Sequence, residues 1–356
     1  MQDDWQAILE QAPYLDRADA LVLIEYLSER GATDEELSEA AKTGTLGPLA
    51  LELALRPPGE LVPFDAAVQE AGLELDEAAT MWRAWGFPDP REPLIKVSPR
   101  QVQALQILAQ MSRSLLGRET GLQLARVIGS SMAQVAEAIV DAFRVKVEIP
   151  RQDEGQPYSE VVKDYARIGG VMIPALNTAL GDILTEHLLA VSRSNWAVDE
   201  ERAAVTRDLV VGFADLVDYT RSTRALTPAE LAAAVTRFES VAGEIVARHG
   251  GRVVKLIGDE VMFAVDDPAE AAQAALELID ALTVRIGLAA GPVISHQGDY
   301  YGEVVNLAAR LVKAAEPGAA LASESVLQAG SVAAEPVDLP PLKGFDEAVP
   351  VYRLTR

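Results

Sequence analysis

Lys255-Leu256-Ile257-Gly258-Asp259-Glu260 decides how this chain reads. Two apolar, strand-like runs flank Gly258-Asp259, a pair that favours a tight turn, so the stretch predicts a β-hairpin with an acid at its tip. A cation and a carboxylate then stand four residues apart. Alone this is an ordinary hairpin. What stands upstream and downstream gives it chemistry.

Upstream, the apolar run Leu209-Val210-Val211-Gly212-Phe213-Ala214 ends on Asp215. Paired strands would bring Asp215 and Asp259 together. Two carboxylates at one sheet edge can hold two Mg²⁺ or Mn²⁺ ions through hard oxygen ligands, with phosphate oxygens and water completing each shell. Each aspartate also has a plainer reading, Asp215 as the cap of the next helix and Asp259 as a turn residue. Downstream, Asp299-Tyr300-Tyr301-Gly302 leads into Asn306-Leu307-Ala308-Ala309-Arg310. Adenine presents an acceptor at N1 and a donor at its 6-amino group, which suit a lysine and an aspartate such as Lys255 and Asp299. Guanine presents the reverse polarity. Asn306 and Arg310 share one helical face, where the guanidinium can stabilise charge on a transferring phosphorus and the amide can orient a ribose. Lys343-Gly344 is a weaker candidate for terminal phosphates.

Bulk properties agree with such a substrate only under conditions. The chain has 356 residues, which predicts two domains. Its net charge is −23, from 31 basic and 54 acidic residues, a field that repels nucleic acid and anionic membranes. A nucleoside triphosphate would therefore need local cations and bound metal. The absence of cysteine excludes a disulfide or a thiolate zinc site and fits a reducing cytoplasm. Met1-Gln2-Asp3-Asp4 is not a signal peptide, and Gly169 to Val191, interrupted by Asp182, Glu186 and His187, predicts a buried amphipathic helix rather than a membrane span.

The two halves differ in period. Before about Val205 there is no alternating strand pattern, and helices are expected over Asp16 to Arg30, Thr33 to Lys42, Leu75 to Trp85 and Ser98 to Leu116, with Pro-rich breaks at Arg56-Pro57-Pro58-Gly59 and Pro88-Asp89-Pro90. From Asp208 strands and helices alternate, which implies an α+β sheet with packed helices. The expected division is an all-α domain over 1–191, a polar linker over 192–207 and an α+β domain over 208–356. No phosphate-binding G-x-x-x-x-G-K-[ST], no G-x-G-x-x-G and no H-E-x-x-H occurs.

Over Asp208 to Leu354 the pattern resembles the class III adenylyl cyclase catalytic domain. Phe213-Ala214-Asp215 is similar to that family's first metal-aspartate strand end, Lys255 to Glu260 to its adenine-lysine and second-metal hairpin, and Asp299 to Arg310 to its D-x-x-G-x-x-V-N-x-x-x-R motif. The resemblance implies a ferredoxin-like cyclase sheet, ATP as substrate, and Mg²⁺ or Mn²⁺, two per site. It implies Asp215 and Asp259 as metal ligands, Lys255 and Asp299 on adenine, Asn306 and Arg310 on the transition state and Lys343 on phosphate. It also implies a homodimer in which metal ligands come from one chain and base-reading residues from its partner. One departure is Asp218-Tyr219, where the family usually carries glycine then phenylalanine; Asp218 would repel a triphosphate unless it caps the next helix, and it is the reserve metal ligand.

The helical half resembles the N-terminal regulatory domain of some soluble actinobacterial cyclases, so the expectation is a cytoplasmic adenylyl cyclase under autoregulation. Two other readings stay open at this point, a catalytically silent nucleotide-binding signalling module with a cyclase fold and a guanylyl cyclase. Among His187, His249 and His296, His187 lies near the linker, which makes a proton one candidate regulator. A lipid enclosed by apolar helices is another.

Overall fold

The computed structural model describes residues 4–57, 59, 61–91, 95–195, 206–217, 227–330, 332–345 and 348–356. The chain divides into two compact units, Met1–Arg193 and Ser194–Arg356. Most of the expected linker, and Asp218-Tyr219 with it, lies outside the described residues.

The first unit is helical. Helices α1 (Asp4–Glu10), α2 (Arg17–Glu29), α3 (Asp34–Thr43) and α4 (Leu46–Leu55) enclose a core around Leu23, Ile24, Leu27 and Leu37. α3 starts on a capping box, with Thr33 and Glu36 satisfying each other's backbone amides, which is why an acidic stretch begins a helix there. A second core, built on Phe64, Met81, Trp82 and Leu105, joins α5 (Phe64–Glu70), α6 (Leu75–Ala84) and α7 (Pro99–Met111). One departure from an all-helical reading is a two-residue ladder between β1 (Val62–Pro63) and β2 (Lys96–Val97). So short a ladder leaves no alternation to read.

After α8 (Arg118–Phe143) and α9 (Ile149–Asp153) comes α10 (Tyr158–Asn195), and here the expectation of a buried helix fails. Its start is packed, with Val161, Val162 and Ala166 in the core, and Gly169 lies against Leu51. Farther along, Val171, Met172, Leu184 and Leu188 are exposed, Val171 at 73%. At about 1.5 Å per residue α10 runs roughly 57 Å, so it outreaches the short helices that cover its first turns. By length and composition it is the one described helix able to cross a membrane, and 6% of its apolar window is buried.

The second unit is a mixed sheet with helices on both faces. Its strands are β3 (Thr206–Leu216), β4 (Arg252–Ile257), β5 (Glu260–Val265), β6 (Val284–His296), β7 (Asp299–Tyr301), β8 (Ala320–Ser323), β9 (Ala334–Val337) and β10 (Val351–Leu354). They lie in the order β4-β5-β3-β6-β8-β10-β9, with β7 on β6. β6 and β8 run parallel; the other neighbours are antiparallel. The helices are α11 (Pro228–Arg248), α12 (Pro268–Ala281), α13 (Glu303–Ala314) and α14 (Glu324–Ala329). α12 begins where Pro268 follows Asp267, whose carboxylate caps the amides of Ala269 and Glu270.

Strand alternation sorts the side chains. Val210, Ala214, Val261 and Phe263 join α11 and α12 in one core, while Val211, Phe213, Met262 and Ala264 join α13 in the other. Asp215 follows Phe213 by two residues and so belongs to the face that α13 covers. Lys255, opposite Met262 in register, lies on that face too.

Candidate active site

The site is assembled at the ends of β3 and β5. Gly258, at φ +66°, opens the two-residue turn after β4, a conformation glycine adopts without strain. Asp259 completes that turn, and its carbonyl accepts from the Leu216 amide at 3.0 Å. Asp215 stands opposite Glu260 in register. Thus the expected acidic pair is brought together, with Asp215 only 8% exposed.

Two charged groups at this edge escaped the sequence reading. Arg285, opposite Asp215 on β6, donates from Nε to Asp215 Oδ2 at 2.6 Å. A cation between Val284 and Ile286 in an apolar run was the available signal, since a charge inside a buried strand needs a partner. Glu260 is the other. Its own burial, and then the neighbouring Asp215 charge, push its carboxyl above the ordinary carboxylate range. Such crowding of acids marks a place that favours added positive charge.

Lys255 meets Asp299 in an ion pair. Asp299 is held from both sides, for its Oδ1 also accepts from the Tyr300 amide at 2.8 Å. Burial would raise its carboxyl, but the Lys255 ammonium and the Tyr300 amide outweigh it and hold the group below its usual value. Asp299 begins β7, paired with His296. Asn306 and Arg310 lie one turn apart on α13, and Arg310 Nε donates to the Lys343 carbonyl at 3.0 Å. That bond ties the loop carrying Lys343 to the helix carrying Arg310. All seven expected site residues are therefore described, in three groups: Asp215 with Asp259, Lys255 with Asp299, and Arg310 with Asn306 and Lys343.

Whether the acids suit a divalent ion follows from the donor set. Among the described residues no cluster of three or more His, Cys, Asp or Glu could hold a metal by itself. Two adjacent carboxylates are hard oxygen donors that suit Mg²⁺ or Mn²⁺ where a substrate's phosphates supply further oxygens. The residues fit on that condition.

Residues 202–354 match the family described as the adenylate and guanylate cyclase catalytic domain. An uncharacterized protein of Mycobacterium tuberculosis is 34% identical over 360 residues, covering 97% of this chain and 93% of its own length. A Streptomyces coelicolor protein named adenylate cyclase is 34% identical over 302 residues, 82% of this chain and 78% of the relative. Among solved structures, an adenylyl cyclase of P. aeruginosa aligns at 22% identity and a TM-score of 0.39, over 42% of this chain and 95% of that one. With a curated relative matched at this identity across most of both lengths, the chain belongs to the class III adenylate and guanylate cyclase family of enzymes.

Proposed function

We propose that this protein is an adenylyl cyclase that converts ATP to 3′,5′-cyclic AMP and pyrophosphate. The observation that carries the proposal is the Lys255–Asp299 pair, a donor and an acceptor side by side. Lys255 would donate to adenine N1 and Asp299 accept from the 6-amino group. Guanine would set donor against donor there, which disfavours the guanylyl reading.

In the proposed reaction the ribose 3′-oxygen attacks the α-phosphorus in line, and the bond to the β-phosphate oxygen breaks. Asp215 and Asp259 would hold Mg²⁺ or Mn²⁺, two ions per site. When bound, such ions lower the pKa of the attacking hydroxyl and neutralise the leaving phosphates. Asn306 orients the ribose, and Arg310 stabilises charge on the transferring phosphorus. Lys343, tied to Arg310 through its carbonyl, reaches the terminal phosphates. Arg285 adds a cation beside Asp215 and helps offset a chain charge of −23.

The family resemblance supports a homodimer in which each site takes its acids from one chain and its base-reading pair from the other. It also supports a cytoplasmic enzyme whose helical unit, residues 1–191, regulates turnover. The test is to mix Asp215→Ala chains with Lys255→Ala chains, each inactive alone, and assay cyclic AMP. Recovery supports shared sites; no recovery puts each site within one chain. If wild-type chains bind ATP under Mn²⁺ yet form no cyclic AMP, the silent-module reading replaces this one. Comparing the full chain with one truncated to begin near Val205 gives the sign of regulation.

A further inference from the structure

We propose that Arg252 is a positioning residue for base selection, holding the turn from which Asp299 meets adenine. This rests on the ATP reading above and extends it to a residue outside the base-reading pair.

β4 is irregular. Arg252 faces Ala264 and Lys255 faces Met262, with a register shift between Val253 and Lys255. In an unbroken strand, residues three apart point to opposite sides; the extra residue of a β-bulge returns them to the same side. Ala264 and Met262 both belong to the α13 core, so Arg252 and Lys255 share that face.

They grip successive residues of one turn. Lys255 pairs with Asp299, while Arg252 Nη2 donates to the Gly298 carbonyl at 3.1 Å. The Arg252 guanidinium also lies 5.0 Å from the centroid of the Tyr300 ring, within cation–π range. Tyr300 is 3% exposed, so it is a fixed platform. The turn between β6 and β7 needs such a hold. Its two central residues, Gln297 at φ +55° and Gly298 at φ +81°, are both left-handed, and glutamine lacks glycine's freedom there. Without Arg252, that turn keeps its strand pairing and the Lys255–Asp299 pair but loses its hold on Gly298, and the Asp299 carboxylate gains room to swing. Hydrogen-bond selection tolerates little displacement, so adenine would lose more than guanine, which Asp299 does not suit in the first place.

The experiment compares wild type, Arg252→Ala and Arg252→Lys as full chains with Mn²⁺. It measures kcat and KM for ATP and GTP, and calorimetric binding of non-cyclisable ATP and GTP analogues. The expected result for Arg252→Ala is a KM for ATP raised with little change in kcat, and an ATP-over-GTP preference lowered about tenfold in turnover and binding. Arg252→Lys, which keeps a donor and a cation, should recover most of it. An unchanged preference in Arg252→Ala overturns the inference while leaving the ATP reading intact, as does an equal loss for both nucleotides, the mark of a merely structural role. Should Arg252→Ala fail to fold, the same ratio in Arg252→Gln decides. If wild type itself does not discriminate ATP from GTP, the ATP reading fails and this inference falls with it.

Discussion

Arg285 and Asp215 face each other across the β3–β6 register with Nε and Oδ2 2.6 Å apart, so the least exposed acid of the site has a permanent cation beside it. Removing that cation leaves a carboxylate, its side chain 11% exposed, without its partner. Arg285→Ala should therefore cost about 1–2 kcal/mol of stability, the value for a pair whose arginine is partly solvent-screened. It should also raise the KM for ATP severalfold. Urea unfolding and steady-state kinetics check both, and Arg285→Lys should fall between.

Asp259→Asn keeps the turn, whose glycine and backbone bond to Leu216 are untouched. It removes one charge from the acidic edge. Activity should drop by roughly a hundredfold or more, with the unfolding temperature little changed. Chelation with EDTA should abolish wild-type activity, and added Mg²⁺ or Mn²⁺ should restore it. A variant that retains full turnover would remove Asp259 from the reaction.

His249, at the end of α11, has both ring nitrogens against acids of α12, Glu270 at 2.7 Å and Glu277 at 2.9 Å. Both contacts are hydrogen bonds only when both nitrogens carry protons. Partial burial lowers its pKa, but the two carboxylates outweigh that and raise it. Arg248, bound to Glu244 and Glu277, opposes a further charge nearby. A pKa raised on folding means stability present in full below the ordinary histidine value of about 6.5 and lost as pH climbs through the folded value. The wild-type unfolding temperature should thus fall more than that of His249→Gln as pH increases from about 6 to 8.5. Parallel curves would refute it.

Gly287 on β6 lies directly beneath α13. A Cβ there would sit 2.2 Å from the Val312 amide nitrogen and 2.5 Å from the Ala308 carbonyl oxygen. Backbone cannot yield as a side chain does, so Gly287→Ala should destabilise by about 2–3 kcal/mol. It should also lower activity by displacing Asn306 and Arg310, which the same helix carries. Denaturant midpoints and turnover measured together test the pairing of the two losses.

Much of the second unit was legible because its signals are local. Gly258-Asp259 named its own turn, and the apolar run ending at Asp215 named a strand that stops at the site. Asn306 and Arg310 needed only the helical period. What escaped depends on neighbours distant in sequence. Arg285 matters because β6 lies beside β3, and Glu260 because it opposes Asp215; neither adjacency is written in spacing. The exposure of α10 was hidden for another reason. An apolar helix signals that it would favour cover, not whether the same chain supplies any. For β1 and β2, two residues each, the pattern was too short to exist.

The register shift in β4 makes the ladder position of Arg252, opposite Ala264, the constrained quantity, rather than the number of residues between it and Lys255. Deleting Val254 would remove the bulge and leave Arg252 and Lys255 two apart in a regular strand, still on one side of the sheet, whereas a regular strand that kept Val254 would set Arg252 on the opposite side from Lys255, away from Gly298. A shared side of the sheet, not a fixed count of residues, is what this part of the chain must preserve.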